Sequence, residues 1–484
     1  MARVPSTELQ RISRPLSRRK TKIVCTLGPA VDSALSLRAL IEAGMNVARF
    51  NCSHGSWATK KEWARWIRLM NPTCGPVAVL VDLQGPKIRL DSLPGNELLL
   101  AQGSLVKVGL GRNVDVPISH KGILAVLRPG ERVLIGDGHV ELRITQGEGG
   151  RFQARVVAGG TIRSKQGLTV VNRTVDELAI TEKDREDLEH AMEIDADFIA
   201  LSYCRRPEDV LELRSILQRN KKYAHIIPKI ETREAVQNID KILAVSDGIM
   251  IARGDLGLQV ELEEVPLIQK RLIRAARQAG KPVITATQML ESMIEFPRPT
   301  RAEVADVANA ILDGTDAVML SAETAIGKYP TQAVRTMGSI AEYSEPEIER
   351  EAIFRELTRS RPKIESTEAV AAAVAQLVAS VSPRAVVTSS SSGQTPRLVS
   401  RFRLKPHVLC TTWNPKTQNQ LAVVYGVEAV FMPLPLDTEA VIVNSIQTFQ
   451  QARRLKRGDS VVITAGVPPG KPGSTNLILN YIVR

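Results

Sequence analysis

The sequence predicts an α/β protein built on a (β/α)8 TIM barrel, with a small β-barrel lid domain inserted into it and a C-terminal α/β domain after it. Three observations predict this fold. Short apolar runs followed by helix-period stretches recur eight times from residue 21. A glycine-rich region of alternating polarity separates the third run from the fourth. A second series of apolar runs follows residue 345.

The eight apolar runs lack polar alternation, which is typical of strands buried on both faces of a parallel sheet. They occupy residues 21–27, 46–51, 77–83, 197–203, 225–230, 248–252, 282–287 and 317–321. Eight strand–helix units in succession favour a closed barrel. We expect the barrel to comprise residues 21–87 and 164–344, which together have the size usual for this fold.

The region between the third and fourth runs has a different sequence pattern. Proline–glycine and glycine turns separate short alternating stretches such as 98–108 and 132–144. Turns between alternating stretches are typical of antiparallel strands. We therefore predict an inserted all-β domain at residues 88–163.

Residues 345–484 form a third region with its own strand and helix patterns. Its apolar runs occupy residues 385–388, 407–411, 429–432 and 460–465. Helical patterns lie between these runs, so this region is predicted to be a separate α/β domain with its own sheet.

The composition is that of a soluble globular protein, with 484 residues, 43% hydrophobic and 24% charged. The net charge is +12, and much of the excess lies in residues 1–20, a basic N-terminal arm. We interpret this arm as a surface arm or first helix rather than a targeting peptide. The mildly basic remainder suits small anionic substrates. Aromatic residues make up only 4%, which argues against a single-stranded nucleic-acid partner.

Membrane insertion and secretion are not expected. No apolar run reaches the roughly 18 residues that a membrane span needs, and no apolar segment of the secretory type follows the basic arm. The 5 cysteines are scattered and form no CxxC pair. A reducing, cytoplasmic location is therefore predicted.

In a barrel of this kind the active site lies at the carboxyl ends of the strands. Glu231 and Asp255 end neighbouring strands, and one or two carboxylates commonly hold Mg²⁺. Lys229 lies two residues before Glu231, so both point to the same side, and Arg49 and Arg89 add capacity to bind anions. A lysine beside a divalent ion suits phosphoryl transfer. The alternative is a structural ion-pair network at the barrel rim.

Several stretches resemble the pyruvate kinase family, in the family's order and spacing. They are TKIVCTLGPA at 21–30, MNVARFNCSHG at 45–55, KIE at 229–231, ARGDLG at 252–257, ATQMLESM at 286–293, PTRAE at 299–303 and DGTDAVMLSAET at 313–324. The resemblance extends from residue 21 to the C-terminus, including the inserted domain. It implies transfer of the phosphoryl group of phosphoenolpyruvate to ADP, which gives pyruvate and ATP in the last step of glycolysis.

The resemblance also implies roles for individual residues. Glu231 and Asp255 would hold Mg²⁺ or Mn²⁺, Lys229 would stabilise the phosphoryl group and the enolate, and Thr287 would belong to the proton path. Lys229, Thr287 and Arg49 are thus the expected catalytic residues. The expected substrate and nucleotide site consists of Arg49, Arg89, Asp137, Gly254, Asp255, Thr287, Ser321 and Glu323. The inserted domain would close over this site as a lid.

The monovalent-cation site departs from the usual family pattern. Asn51, Ser53, Asp82 and the Leu83 carbonyl match residues that hold K⁺ in many members. However, the segment LQGPK at 83–87 has Lys87 where potassium-dependent members carry a Glu. We expect the Lys87 ammonium to supply the positive charge, so that K⁺ is not required. In the alternative, Lys87 extends to solvent and K⁺ still binds.

Two other departures lie nearer the nucleotide. The family usually carries Gly at the position of Ala322 and Lys at the position of Ile326. Because that Lys is usually placed near a nucleotide phosphate, nucleotide affinity is expected to be altered.

The third domain contains a hydroxyl-rich loop that resembles the family's effector-phosphate site. Its residues are Thr388, Ser389, Ser390, Ser391, Ser392, Gly393 and Thr395. Hydroxyl and N–H groups ahead of a helix can bind an anion. The stretch 466–473 resembles the loop that covers the effector. The alternative is a capped turn without a ligand.

Other functions remain open from the sequence alone. The chain could be another phosphoenolpyruvate or pyruvate barrel enzyme, or a catalytically inactive phosphometabolite sensor or basic RNA-binding protein. The resemblance also implies a homotetramer.

Overall fold

The structure is a computed structural model that describes residues 17–111, 113–173, 175, 177–359, 365–435, 437–466 and 475–484. No helix within these residues is both long enough and apolar enough to cross a membrane.

The strands are numbered in chain order. They are β1 (Lys22–Thr26), β2 (Val47–Asn51), β3 (Ala78–Asp82), β4 (Glu97–Leu100), β5 (Leu105–Gly109), β6 (Val116–Pro117), β7 (Arg132–Ile135), β8 (Val140–Glu148), β9 (Arg151–Ala158), β10 (Gly160–Arg163), β11 (Leu168–Val170), β12 (Phe198–Leu201), β13 (His225–Ile230), β14 (Ile249–Ala252), β15 (Val283–Ala286), β16 (Ala317–Leu320), β17 (Ala385–Ser389), β18 (His407–Thr412), β19 (Val427–Phe431), β20 (Ser460–Gly466) and β21 (Thr475–Ile482).

The helices are numbered in the same way. They are α1 (Ala34–Ala43), α2 (Trp57–Cys74), α3 (Lys121–Val126), α4 (Glu182–Glu193), α5 (Pro207–Arg219), α6 (Arg233–Gln237), α7 (Ile239–Val245), α8 (Arg253–Gln259), α9 (Val265–Gln278), α10 (Arg301–Leu312), α11 (Ala322–Ala325), α12 (Pro330–Ser344), α13 (Arg350–Thr358), α14 (Ser366–Val381), α15 (Gln394–Ser400), α16 (Pro415–Gln420) and α17 (Thr438–Gln451).

Eight parallel strands close into a barrel in the order β1-β16-β15-β14-β13-β12-β3-β2. Every predicted apolar run contains one of these strands, which confirms the barrel. Their residues are almost all buried because the helices cover the outer face.

The same pair of contacts recurs at the amino ends of four alternate barrel strands. Asn46, Asp197, Asp247 and Asp316 lie just before β2, β12, β14 and β16. Each side-chain oxygen accepts a hydrogen bond from a backbone N–H group of the neighbouring strand, at 3.0, 2.8, 2.8 and 3.1 Å respectively. Each also binds an arginine: Arg19, Arg68, Arg214 and Arg403. The repeat fixes the strand register at this end.

The inserted domain contains a six-stranded sheet, β11-β7-β8-β9-β5-β6, and a two-stranded sheet, β10-β4. Both sheets enclose one apolar core, and α3 lies among them. The β11 strand pairs with β7, so the sheet extends to residue 170. The turn at residues 136–138 joins β7 to β8 and faces the barrel rim.

The C-terminal domain has the sheet order β19-β18-β17-β20-β21. Four of its strands match the predicted runs. The fifth, β21, is antiparallel and was not predicted, because its partly exposed residues do not form a continuous apolar run.

Candidate active site

The carboxyl ends of β2, β3 and β13 bring four charged side chains together. Arg49 Nε lies 2.7 Å from Asp82 Oδ2. Lys229 Nζ lies 2.8 Å from Glu231 Oε1 and 3.5 Å from Asp82 Oδ1. All four side chains are buried. The predicted residues therefore form one compact cluster, which we call the charged cluster.

Burial and charge compete in the charged cluster. Burial alone lowers the pKa of Lys229, but the charges of Asp82, Glu231 and Asp255 outweigh it and raise that pKa. Burial raises the pKa of Asp82, yet Lys229 and Arg49 bring it below its usual range. The pKa of Glu231 remains raised, mainly because of burial. Lys229 is therefore a fixed positive charge at neutral pH.

Glu231 and Asp255 have the chemistry of a divalent-cation site. Glu231 Oε1 is fully buried and is held by the ion pair with Lys229 at 2.8 Å, without a further hydrogen bond from the described residues. Tyr203 links the two carboxylates, since its N–H group donates to Glu231 at 2.7 Å and its hydroxyl to Asp255 at 3.3 Å. Two carboxylates with room for water and substrate oxygen suit Mg²⁺ or Mn²⁺. No group of three or more His, Cys, Asp and Glu ligands exists in the described part of the chain.

Thr287 lies beside the first turn of α8 in a left-handed conformation, with φ of 69°. Its Oγ1 accepts a hydrogen bond from the Gly254 N–H group at 2.8 Å and donates to the Ala286 carbonyl at 2.6 Å. Arg253 holds the Thr287 carbonyl at 2.7 Å. These contacts fix the hydroxyl near Asp255 in a conformation that is costly for a β-branched residue.

Ser321 and Glu323 follow β16. Both oxygens of Glu323 are engaged, by the N–H groups of Leu290 at 3.1 Å and Ser321 at 2.7 Å. The Ser321 hydroxyl is buried and has no hydrogen-bond partner within the described residues. Glu323 thus braces the loops, whereas the hydrogen-bonding capacity of Ser321 Oγ is unused within the described residues. Ile326 is 62% exposed beside them.

Arg89 and Asp137 are exposed and belong to the hinge and the lid. Arg89 donates to the Lys165 carbonyl at 3.1 Å, and its charge opposes the strong rise in the pKa of Tyr203 that burial produces. Asp137 occupies the turn between β7 and β8 with φ of 54°. The lid meets the rim through an ion pair of 3.0 Å between Arg132 and Glu261.

The residues predicted to hold a monovalent cation already have protein partners. Asn51 Oδ1 accepts the Ser53 N–H group at 3.0 Å. The Leu83 carbonyl accepts a hydrogen bond from the Ser202 hydroxyl at 2.6 Å, and Asp82 is paired with Arg49 inside the charged cluster. Lys87 Nζ lies 3.5 Å from Asp255 Oδ1. Lys87 thus points toward the divalent-cation carboxylates.

Sequence reasoning missed two residues that contact the charged cluster or its carboxylates, and a third, Lys60, that braces the loop after β2. Ser202 accepts a hydrogen bond from Lys229 Nζ at 2.9 Å, and Tyr203 spans the two carboxylates. Both directly follow β12, and as uncharged residues they gave no signal beside the carboxylates and cations that follow the other strands. Lys60 is 2% exposed and donates to the carbonyls of His54 at 2.6 Å and Gly55 at 3.0 Å. Its helical position gave no signal.

The hydroxyl-rich loop of the C-terminal domain lies between β17 and α15. Ser389 and Thr411 hydroxyls are 2.5 Å apart, and Ser390 Oγ accepts the Gly393 N–H group at 3.0 Å. The Thr388 hydroxyl is buried without a partner among the described residues. Thr395 contacts Thr475 at 2.6 Å. Residues 467–473 of the expected covering loop lie outside the described residues.

A barrel with a cationic lysine, two metal-type carboxylates and a lid defines a phosphoryl-transfer enzyme. Comparisons with known proteins identify its family. The family model for the pyruvate kinase barrel domain matches residues 18–334, and that for the pyruvate kinase alpha/beta domain matches residues 368–479.

Similar full-length proteins agree with this match. The pyruvate kinase of Bacillus licheniformis is 41% identical over 473 residues, and that of Geobacillus stearothermophilus is 41% identical over 474 residues. The pyruvate kinase of Staphylococcus saprophyticus is 40% identical over 476 residues. Each match covers 96% of this chain and about 80% of the relative. The chain therefore belongs to the pyruvate kinase family.

Proposed function

We propose that the chain transfers the phosphoryl group of phosphoenolpyruvate to ADP without needing K⁺, under control of a phosphorylated effector. The position of Lys229 between Asp82 and Glu231 carries the proposal for the reaction. We propose a basic arm at 1–20, barrel segments at 21–87 and 164–344, a lid at 88–163 and a regulatory domain at 345–484. The start of the second barrel segment, β11, completes the lid's sheet by pairing with β7.

Lys229 and Arg49 would act on charge. Lys229 is held cationic, so it stabilises the phosphoryl group in transfer and the negative charge left on the enolate oxygen. Arg49 is fixed by Asp82 and by Thr26 Oγ1 at 2.8 Å, so its remaining donors are oriented before substrate binds. A divalent ion held by Glu231 and Asp255 would neutralise phosphoryl charge.

Thr287 would serve the proton path to the enolate carbon, because its hydroxyl is fixed beside Gly254 at the mouth. The nucleotide would lie under the lid. Arg89, Asp137, Gly254, Asp255, Ser321 and Glu323 would form its surroundings, with Glu323 acting through the loop backbone that it braces. Closure of the lid excludes water from the transferring group.

The proposal of K⁺ independence rests on Lys87. Its ammonium lies 3.5 Å from Asp255, so a positive charge already sits beside one of the two carboxylates expected to hold the divalent ion. The bond from Ser202 to the Leu83 carbonyl further supports it, since one oxygen expected to bind K⁺ already has a donor.

The test is pyruvate formation from phosphoenolpyruvate and ADP with Mg²⁺, in tetramethylammonium buffer with and without K⁺. We expect equal activity in both buffers. The Lys87→Glu variant should lose at least about tenfold without K⁺ and regain part of it when K⁺ is added. The matched control is Lys107→Glu, on the exposed lid surface. Dependence of the unmodified enzyme on K⁺ would contradict the proposal.

The effector proposal rests on the buried, unpartnered Thr388 hydroxyl beside the Ser390–Gly393 turn. A Thr388→Val variant should lose activation by sugar phosphates or AMP while basal turnover is kept. We also propose a homotetramer, as the family implies, and a cytoplasmic location, which fits the five free cysteines. No ATP formation under any condition would favour an inactive sensor or another barrel enzyme.

A further inference from the structure

A basic cavity lies away from the barrel mouth. It has a volume of about 940 Å³ and lies where the arm, α13, α14 and the C-terminal sheet meet. Its wall includes the amino ends of β17 and β18. The hydroxyl-rich loop follows the carboxyl end of β17, so the cavity and the loop lie at opposite ends of the strands of one sheet. We call this basic cavity the junction cavity.

The charge of the junction cavity is unbalanced. Its lining includes Arg18, Lys20, Arg355, Arg384 and Lys405. None of these five side chains forms an ion pair with a carboxylate of the described chain. Arg350 also lines the cavity, but it donates to carbonyls, including those of Arg403 at 2.8 Å and Glu345 at 2.7 Å. Glu351 is the one acidic residue among the described lining residues.

The inner wall of the cavity is apolar. Phe354, Val378, Phe402 and Leu404 contribute to it, and the two phenylalanine rings lie 5.8 Å apart at 43°. A flat apolar body can pack against such a wall while an attached anion reaches the cations at the rim. Cations gathered around a low-dielectric recess also concentrate anions there.

The sequence of the arm before residue 17 does not complement this charge. Residues 1–16 carry Arg3, Arg11 and Arg14 against Glu8. Because this stretch is itself net positive, it is not the anionic partner that the cations of the cavity call for. A separate anion is the complementary occupant.

Lys20 couples the cavity to both neighbouring domains. Its N–H group donates to Glu345 Oε1 at 2.8 Å, at the end of α12, and its carbonyl accepts the Gly426 N–H group at 2.9 Å. Burial lowers the pKa of the Lys20 amine, Glu345 opposes that change and Arg350 adds to it. An anion at Lys20 would therefore touch the joint between the barrel and the C-terminal domain.

We propose that the junction cavity binds a small metabolite in which a phosphate or carboxylate group is attached to a flat apolar ring. The site is distinct from both the catalytic mouth and the hydroxyl-rich loop. Its cations bind the anionic group, and its phenylalanine wall binds the ring.

Pyridoxal 5′-phosphate is a suitable probe because it carries a phosphate on an aromatic ring. Its aldehyde condenses with a lysine amine, releasing water and forming an imine. Borohydride then delivers hydride to the imine carbon, and nitrogen takes a proton from water. Peptide mapping of the reduced full-length protein locates the label.

We expect label at Lys20 or Lys405 to saturate at a concentration at least about tenfold below that for exposed Lys241. Pyridoxal, which lacks the phosphate, should need at least about tenfold more. Arg384→Glu should weaken phosphate-dependent labelling about tenfold, and Arg65→Glu, an exposed charge reversal on α2, should not.

Equal labelling by pyridoxal and its phosphate would show a reactive lysine without an anion site, and would overturn the proposal. Equal saturation in Arg384→Glu and Arg65→Glu would overturn it as well. Arg384 is exposed and forms no ion pair with the described residues, so its reversal should not unfold the chain. Pyruvate formation by the variant, measured without any added cavity ligand, checks that it is folded. Lys405→Glu provides a second charge reversal in the same cavity.

Discussion

The two ends of the central barrel use charge in opposite ways. At the amino end, Asp197, Asp247 and Asp316 are each satisfied by a strand N–H group and an arginine. At the carboxyl end, Glu231 is fully buried beside Lys229, at 2.8 Å, yet burial still raises its pKa. A carboxylate paired with an arginine and a strand N–H group holds neighbouring strands together, whereas a carboxylate whose pKa stays raised by burial is retained at a cost in stability. The difference separates the end that holds the barrel together from the end proposed to act on substrate.

The largest effect is expected at the carboxyl end. Glu231→Gln should lower kcat at least about 10³-fold, because a metal-type oxygen and the partner of Lys229 are lost. Burial raises the pKa of Glu231, so its ionised form costs stability at neutral pH. Because Lys229 keeps Asp82 as a carboxylate partner at 3.5 Å, the free energy of unfolding should stay constant or increase. Urea unfolding and steady-state kinetics measure both, with exposed Glu186→Gln as the control.

The opposite result is expected at the amino end. Asp316→Asn leaves Arg403 buried without its carboxylate, since the pair is 2.9 Å apart with side chains 5% and 2% exposed. The free energy of unfolding should fall by about 3 kcal/mol. The kcat of folded enzyme should change less than about twofold. The control is Asp240→Asn on the exposed face of α7, and an equal loss there would contradict the assignment.

Acid should weaken the amino end first. Burial lowers the pKa of His225, at the start of β13, to about 4, from an unfolded value near 6.5. Between these values the unfolded chain binds more protons, so stability is present above pH 6.5 and is lost as the pH falls toward 4. His225→Gln should remove roughly 3 kcal/mol of this dependence. Urea unfolding at several pH values measures it, and an unchanged slope would refute it.

The smallest effect is expected where the lid meets the rim. Arg132 and Glu261 form an exposed pair, which contributes at most about 1 kcal/mol. Arg132→Ala should raise the KM for ADP by no more than about threefold and leave kcat unchanged. A large fall in kcat would show that this contact takes part in catalysis and is not a rim contact.

The sequence predicted the barrel because its buried strands form uninterrupted apolar runs, and it singled out Lys229 and Glu231 because they lie at the end of such a run. Asp82 was expected from the family resemblance as a monovalent-cation ligand, not as the partner of Lys229 and Arg49. It did not predict Lys60, whose role depends on a helix folding back over the loop at His54. It also missed β21, since an edge strand with partly exposed residues has no strong pattern. The contacts of Asp316 with Arg403 and Tyr425 link distant parts of the chain, which local patterns do not reveal.

The most direct test of this division is the double variant Glu231→Gln/Asp316→Asn, with kcat and urea unfolding measured on one preparation. Distant sites without shared partners act additively. We predict the stability loss of Asp316→Asn, offset by any gain from Glu231→Gln, together with the kcat loss of Glu231→Gln. A marked coupling in either quantity, or a kcat loss of about tenfold from Asp316→Asn alone, would contradict the separation of the two ends.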